Sequence, residues 1–251
     1  MSPISEELAQ YCLMLGDDAL IMSHRLQEWC THAPELEEEV ALANIALDLL
    51  GQARLLLARA GGSEADEDRL AFFRDAGEFR NVRFVEKSGD FAVVMARLLV
   101  FSAWRLALFG ALTASRDPEL AAVAKKGVKE LAYHRDHAAQ WMVRLGDGTD
   151  LSRERAQRAW DDALDDAAEL LHAHPVERRM AGAGIGADPA AARAALDEVL
   201  TTVATAATLR HRPLGPPPDG GTGRYGEHSA PMAGLLGELQ GVARAHPDAT
   251  W

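Results

Sequence analysis

VAKKGVKELAYHRDHAAQWMVRL, residues 123–145, decides how the chain reads. At about 100° per residue, Val123, Ala124, Leu131, Ala138, Trp141, Met142 and Leu145 fall on one stripe, extended backwards by Leu120. Lys125, Lys126, Lys129, Asp136 and Gln140 fall on the opposite face. This is an amphipathic helix with two exceptions: His134 lies within the apolar stripe, and Glu130, one turn earlier, lies at its edge. A carboxylate and an imidazole are costly to bury unless they are paired or hold a metal. The helix therefore carries either half of a metal site or the remnant of one, reused as an internal ion pair.

The flanking sequence repeats the helical period. Leu8, Tyr11, Leu15, Met22, Leu26 and Trp29 predict a first helix over about 5–31, with Asp18 on its stripe and His32-Ala33-Pro34 as its stop. Residues 35–60 predict a second helix with an acidic first turn, closed by Gly61-Gly62. Its centre, VALANIALDLLGQARLLLA, is apolar nearly all round, which suits a central position in a bundle. Asn44, Asp48 and Gln52, at i, i+4 and i+8, draw one narrow polar line along it. Residues 63–89 form a long connection with a short helical piece near 66–74 and an extended stretch expected at 81–86. Asp90 caps a third, strongly apolar helix to about Ser115 that nevertheless contains Arg97 and Arg105. Asp117-Pro118-Glu119 opens the fourth, the quoted helix, and Gly146-Asp147-Gly148 ends it.

Four helices over about 5–146 thus form the expected core. Accessory helices follow over about 150–246: one at 152–174, one from Asp188-Pro189 to about 208, and one at 231–245. A glycine-rich loop near 182–186 and a Pro/Gly loop over 210–228 separate them. No stretch shows sustained strand alternation. The expectation is an all-α, single-domain helical bundle over 1–251.

Composition narrows the function classes. Of 251 residues, 48% are hydrophobic, 25% charged and only 6% aromatic, the profile of a soluble helical protein. A formal net charge of −12, with no basic stretch to offset it, excludes a general nucleic-acid or anionic-membrane binder. Cys12 and Cys30 form neither a zinc pattern nor a disulfide framework. Met1–Tyr11 is polar and acidic, unlike a signal peptide, and polar residues interrupt every long apolar run, so a cytoplasmic protein is expected.

Among catalytic templates, only oxygen activation in a helical bundle comes into question. It requires a Glu from each of two helices and a Glu-x-x-His from each of the other two, to bridge and balance two iron ions. The chain contains one Glu-x-x-His, Glu169-Leu170-Leu171-His172, and helical projection sends Glu169 to the solvent side. Where a partner motif is expected, the second helix reads Asn44-Ile45-Ala46-Leu47-Asp48. The third helix supplies arginines, and a cation opposes what a metal pocket needs. The expectation is a buried polar network of Asp18, Asn44, Asp48, Arg97, Arg105, Glu130 and His134, in which acids are neutralised by Arg97, Arg105 or His134 rather than by iron. Trp29, Trp104, Trp141 and Trp160 read as core packing.

Several of these stretches together resemble a known family. Leu15-Gly16-Asp17-Asp18, Arg25-Leu26-Gln27-Glu28-Trp29-Cys30-Thr31-His32-Ala33-Pro34-Glu35-Leu36-Glu37 and Ala41-Leu42-Ala43-Asn44-Ile45-Ala46-Leu47-Asp48-Leu49-Leu50-Gly51-Gln52-Ala53-Arg54 resemble the structural C subunits of phenylacetyl-CoA epoxidase, the ring 1,2-epoxidase of phenylacetate breakdown. So do Ser115-Arg116-Asp117-Pro118, Lys129-Glu130 with Tyr133-His134, and Arg144-Leu145-Gly146-Asp147-Gly148-Thr149-Asp150. The resemblance spans nearly the whole chain and is weakest over 152–228. It implies a ferritin-like bundle and a non-catalytic subunit of a multicomponent bacterial monooxygenase. The partners it implies are a related catalytic A subunit that holds the di-iron centre, a small B subunit, and a reductase using NADPH. No cofactor is expected in this chain. An active di-iron oxygenase with an atypical ligand set, or an unrelated helical scaffold, are the alternatives. The three most apolar helices, the first to third, are expected to carry the docking face.

Overall fold

The computed structural model describes residues 6–63, 65–216 and 222–249. Among them no strand occurs, and the fold is all-α, consistent with a ferritin-like helical bundle. The helices are α1 (Glu6–Gln27), α2 (Leu36–Gly61), α3 (Ala65–Phe72), α4 (Phe91–Leu112), α5 (Pro118–Gly146), α6 (Asp150–Ala167), α7 (Pro175–Gly182), α8 (Arg193–Ala206) and α9 (Pro231–Ala245). The chain divides into two compact units. One takes the described residues of Met1–Lys87 and Gly220–Trp251, the other those of Ser88–Asp219.

In the first unit α1 and α2 form an antiparallel hairpin. A Cβ on Gly16 would meet Leu57 at 3.0 Å, and farther along α1 the Ser23 hydroxyl donates to the Ala46 carbonyl at 2.7 Å. Gly62, at φ 91°, ends α2 in the left-handed region with its N–H on the Ala58 carbonyl, the stop that the glycine pair predicts. The stretch 81–86 is not extended: Arg83–Val85 forms a 3₁₀ turn. The chain wraps there because polar groups of this stretch bond to α1, as described below. The C-terminal helix α9 joins this unit by packing on α3. Gln240 donates to the carbonyls of Ala71 at 3.1 Å and Arg74 at 2.9 Å.

In the second unit α4 packs along α5 and against α6 and α8. Its caps follow the sequence. Asp90 accepts from the Val93 N–H at 3.1 Å, and Asp117 from those of Glu119 and Leu120 at 3.1 and 2.9 Å. Trp104 and Trp160 are fully buried, whereas Trp141 is half-buried, its ring edge-on to Phe91 at 4.8 Å. Helices α2 and α4 both have the length and hydropathy of a bilayer span, but 78% of the α4 window lies inside the protein, as in a core helix. For α2 that share is 44%.

Gly146 has a role beyond ending α5. A Cβ there would lie 2.1 Å from the Ala207 backbone carbonyl, just past α8. Only a bare Cα lets the two backbones approach so closely. Gly146→Ala should destabilise the protein by about 1–3 kcal/mol through overpacking, or more because backbone must move. A urea titration that leaves the midpoint unchanged would contradict this close approach.

Candidate functional site

The groups that most need explaining are the buried charges. Asp17 and Asp18 are consecutive on α1, so their side chains leave the helix about 100° apart, yet both are fully buried. Two arginines meet them. Arg74, just after α3, makes a two-pronged ion pair with Asp17, with Nη1 at 3.0 Å from Oδ2 and Nη2 on Oδ1. The Arg80 N–H also donates to Asp17 Oδ2 at 2.8 Å. Arg74 lies 4.1 Å over the Phe79 ring and donates to the carbonyl of Glu78 at 3.1 Å. Arg224 grips Asp18 in the same way, Nη1 to Oδ1 at 2.9 Å and Nη2 to Oδ2 at 2.8 Å, while the Val82 N–H adds a third donor at 2.9 Å. Nη1 also reaches the carbonyls of Met14 at 3.0 Å and Arg80 at 2.8 Å.

A third buried acid, Glu86, is closed off by neutral and imidazole partners. Asn81 donates to Oε1 at 2.9 Å, and the Ser229 N–H and hydroxyl donate to Oε2 at 2.7 and 2.5 Å. His228 Nδ1 lies 2.6 Å from Oε1. Through Arg224, His228 and Ser229 the segment before α9 completes what α1 and the 79–86 stretch begin.

In the second unit Arg97 on α4 is buried and pairs with Asp162 at 2.7 Å and with Asp166, both on α6. Arg105, also buried, lies 4.4 Å from the Phe109 ring centre and 5.7 Å from that of Phe101, one turn away on either side.

The expected network is thus rearranged. Asp18 is buried and neutralised, but its cation is Arg224 rather than Arg97 or Arg105. Arg97 takes α6 aspartates instead. Asn44 is exposed and Asp48 half-buried, because this part of α2 turns toward solvent. Glu130 is half-buried, 3.5 Å from Lys126 on its own helix, and His134 is fully buried. Glu169, projected to solvent as part of a continuous helix, is buried at 8% exposure. The helix tightens to 3₁₀ over Ala168–Leu171, which shifts the facing of each side chain.

These residues do not fit a bridged di-iron centre. Glu-x-x-His occurs once, with Glu169 in that 3₁₀ turn and His172 just past it in extended backbone, and the buried aspartates of α1 already have their carboxylates bound by guanidinium groups. Among the described residues one cluster has a metal-binding composition, His24, Glu28 and Glu238, with a histidine nitrogen and one oxygen from each carboxylate within 4.8 Å of one another.

The α2 surface is the other feature. Leu36, Val40, Leu47 and Leu55 are 71%, 53%, 60% and 48% exposed and share one side of the helix with Asn44. Of the three helices expected to dock, α4 is buried almost throughout and α1 largely so; α2 alone of these presents an exposed apolar stripe.

Residues 2–251 match the family described as Phenylacetic acid catabolic protein. The chain is also 43% identical, over 98% of its own length and 99% of the relative's, to the C subunit of 1,2-phenylacetyl-CoA epoxidase from Escherichia coli strain K12. By family and by full-length similarity, the chain belongs to the phenylacetic acid catabolic proteins.

Proposed function

We propose that this protein is the non-catalytic C-type subunit of a bacterial monooxygenase that epoxidises the ring of phenylacetyl-CoA. It binds the related catalytic A subunit, which holds the di-iron centre, and keeps it folded. A small B subunit and an NADPH-dependent reductase complete a cytoplasmic hetero-oligomer, and this chain carries no redox cofactor. The observation that carries the reading is the pairing of Asp17 with Arg74 and Asp18 with Arg224: acids at the heart of α1 hold the fold together and are not available to two iron ions. The full-length likeness to the C subunit of an epoxidase supplies the reaction.

The exposed stripe of α2 is the docking face in this reading. Obligate interfaces have apolar centres and exceed roughly 2,000 Å². Glu37 flanks the stripe, and the exposed Arg54 on the same face is already paired with Glu67 at 2.6 Å, so the stripe offers no basic cluster to an anionic membrane, which favours a protein occupant. A subunit that binds only the folded form of its partner stabilises it by mass action.

Metal content and turnover test the proposal. The catalytic subunit expressed alone should be poorly soluble or weakly active. Co-expression with this chain should restore it, with iron and epoxidation tracking the catalytic subunit. A bridged iron pair in the isolated chain, together with epoxide formation, would refute it.

A further inference from the structure

His24 and Glu28 stand one turn apart where α1 ends, joined through the Glu28 N–H to the His24 carbonyl at 3.2 Å. Glu238, on α9, comes to the same spot from the far end of the sequence, and the three donor atoms lie within 4.8 Å of one another. The Nε2 atom of His24 is sealed from solvent and has no hydrogen-bond partner. Burial, the largest influence, and the Arg25 charge lower the His24 pKa against the opposing carboxylates of Glu28 and Glu238. Arg25 holds Glu28 Oε1 at 2.5 Å and is itself tied to the Glu86 carbonyl at 2.8 Å, which fixes the Glu28 carboxylate in place.

We propose that His24, Glu28 and Glu238 form a mononuclear site for a zinc-class divalent cation that clips the end of α1 to α9. One imidazole and two carboxylates suit a borderline ion with water in the fourth position. Mg²⁺ and Ca²⁺ prefer all-oxygen shells of six or more ligands. Tetrahedral ligands at 2.0–2.1 Å are roughly 3.3 Å apart. The set must therefore close by up to about 1.5 Å, and the exposed Glu238 can shorten its own two separations by changing rotamer. Arg25 offsets one of the two negative charges, so the affinity is of micromolar order rather than that of a closed thiolate site. The site is independent of the non-catalytic reading: it holds one ion near the surface and has no second ion to bridge.

Zinc titration of the full chain by calorimetry, with thermal denaturation alongside, provides the test. One ion per chain should bind with a Kd on the order of 1–10 µM and raise the Tm, while Mg²⁺ and Ca²⁺ at equal concentration should not. Glu238→Gln, at an exposed position that the fold does not need, and His24→Gln should each weaken zinc at least about tenfold. Absence of one-to-one binding at 100 µM zinc, about ten- to a hundredfold above the expected Kd, would overturn the proposal. So would unchanged affinity in both variants, because the zinc would then sit elsewhere.

Discussion

Arg224→Met should unfold the protein about 3–5 kcal/mol more easily than the parent chain, the cost of leaving a buried carboxylate without its cation. Asp18 is fully buried, and Arg224 supplies both of its charge-assisted bonds as well as donors to two backbone carbonyls. Methionine matches the arginine stem in volume, so the loss is electrostatic more than steric. For a chain of this size the Tm should fall by roughly 10 °C. Asp18→Asn in the same background should restore part of the loss, because the orphan is then neutral, and the two changes should be far from additive. Denaturant titrations of the four species measure this coupling. A loss below about 1 kcal/mol for Arg224→Met would mean that water or another group reaches Asp18, and the pair would not be what holds α1 in place.

Glutamates at Val40 and Leu47 should separate folding from assembly. Both side chains are more than half exposed in the chain alone, so the double variant should keep the parent's stability to within about 1 kcal/mol. Its affinity for the catalytic subunit should fall at least about 100-fold, since two charges would be buried where two aliphatic side chains, each worth about 1.5–3 kcal/mol when covered, should lie. Calorimetry or size-exclusion chromatography of the mixed subunits reads the loss. An unchanged complex would move the docking surface off α2.

The helices were largely legible because their signals are local. Asp90, Asp117-Pro118 and Gly62 act as the caps that their residue types announce. Helix α7 is not announced locally in the same way, because its cap is unusual. His174 takes the place of Ser or Thr, accepting from the Val176 N–H at 3.2 Å, while Glu177 reciprocates to the His174 N–H at 2.8 Å. The buried charges were legible only in kind. Periodicity placed Asp18 on an apolar stripe, which demands a partner, but nothing local points 206 residues ahead to Arg224. Periodicity does not mark Asp17, because a single stripe assumes one buried face, whereas most of α1 is enclosed. The three-way meeting of His24, Glu28 and Glu238 depends on α9 returning to α1, which no sequence period encodes.

That return also sets a schedule for synthesis. Arg224 leaves the ribosome 144 positions after Arg80, a delay of roughly 7–30 s at ordinary elongation speeds. Throughout that interval the nascent α1–α2 hairpin holds the Asp18 carboxylate without its guanidinium, so water must keep access to it. The intervening unit, Ser88–Asp219, is translated in full before the earlier one can seal. The part of the protein made first is therefore the last to become dry.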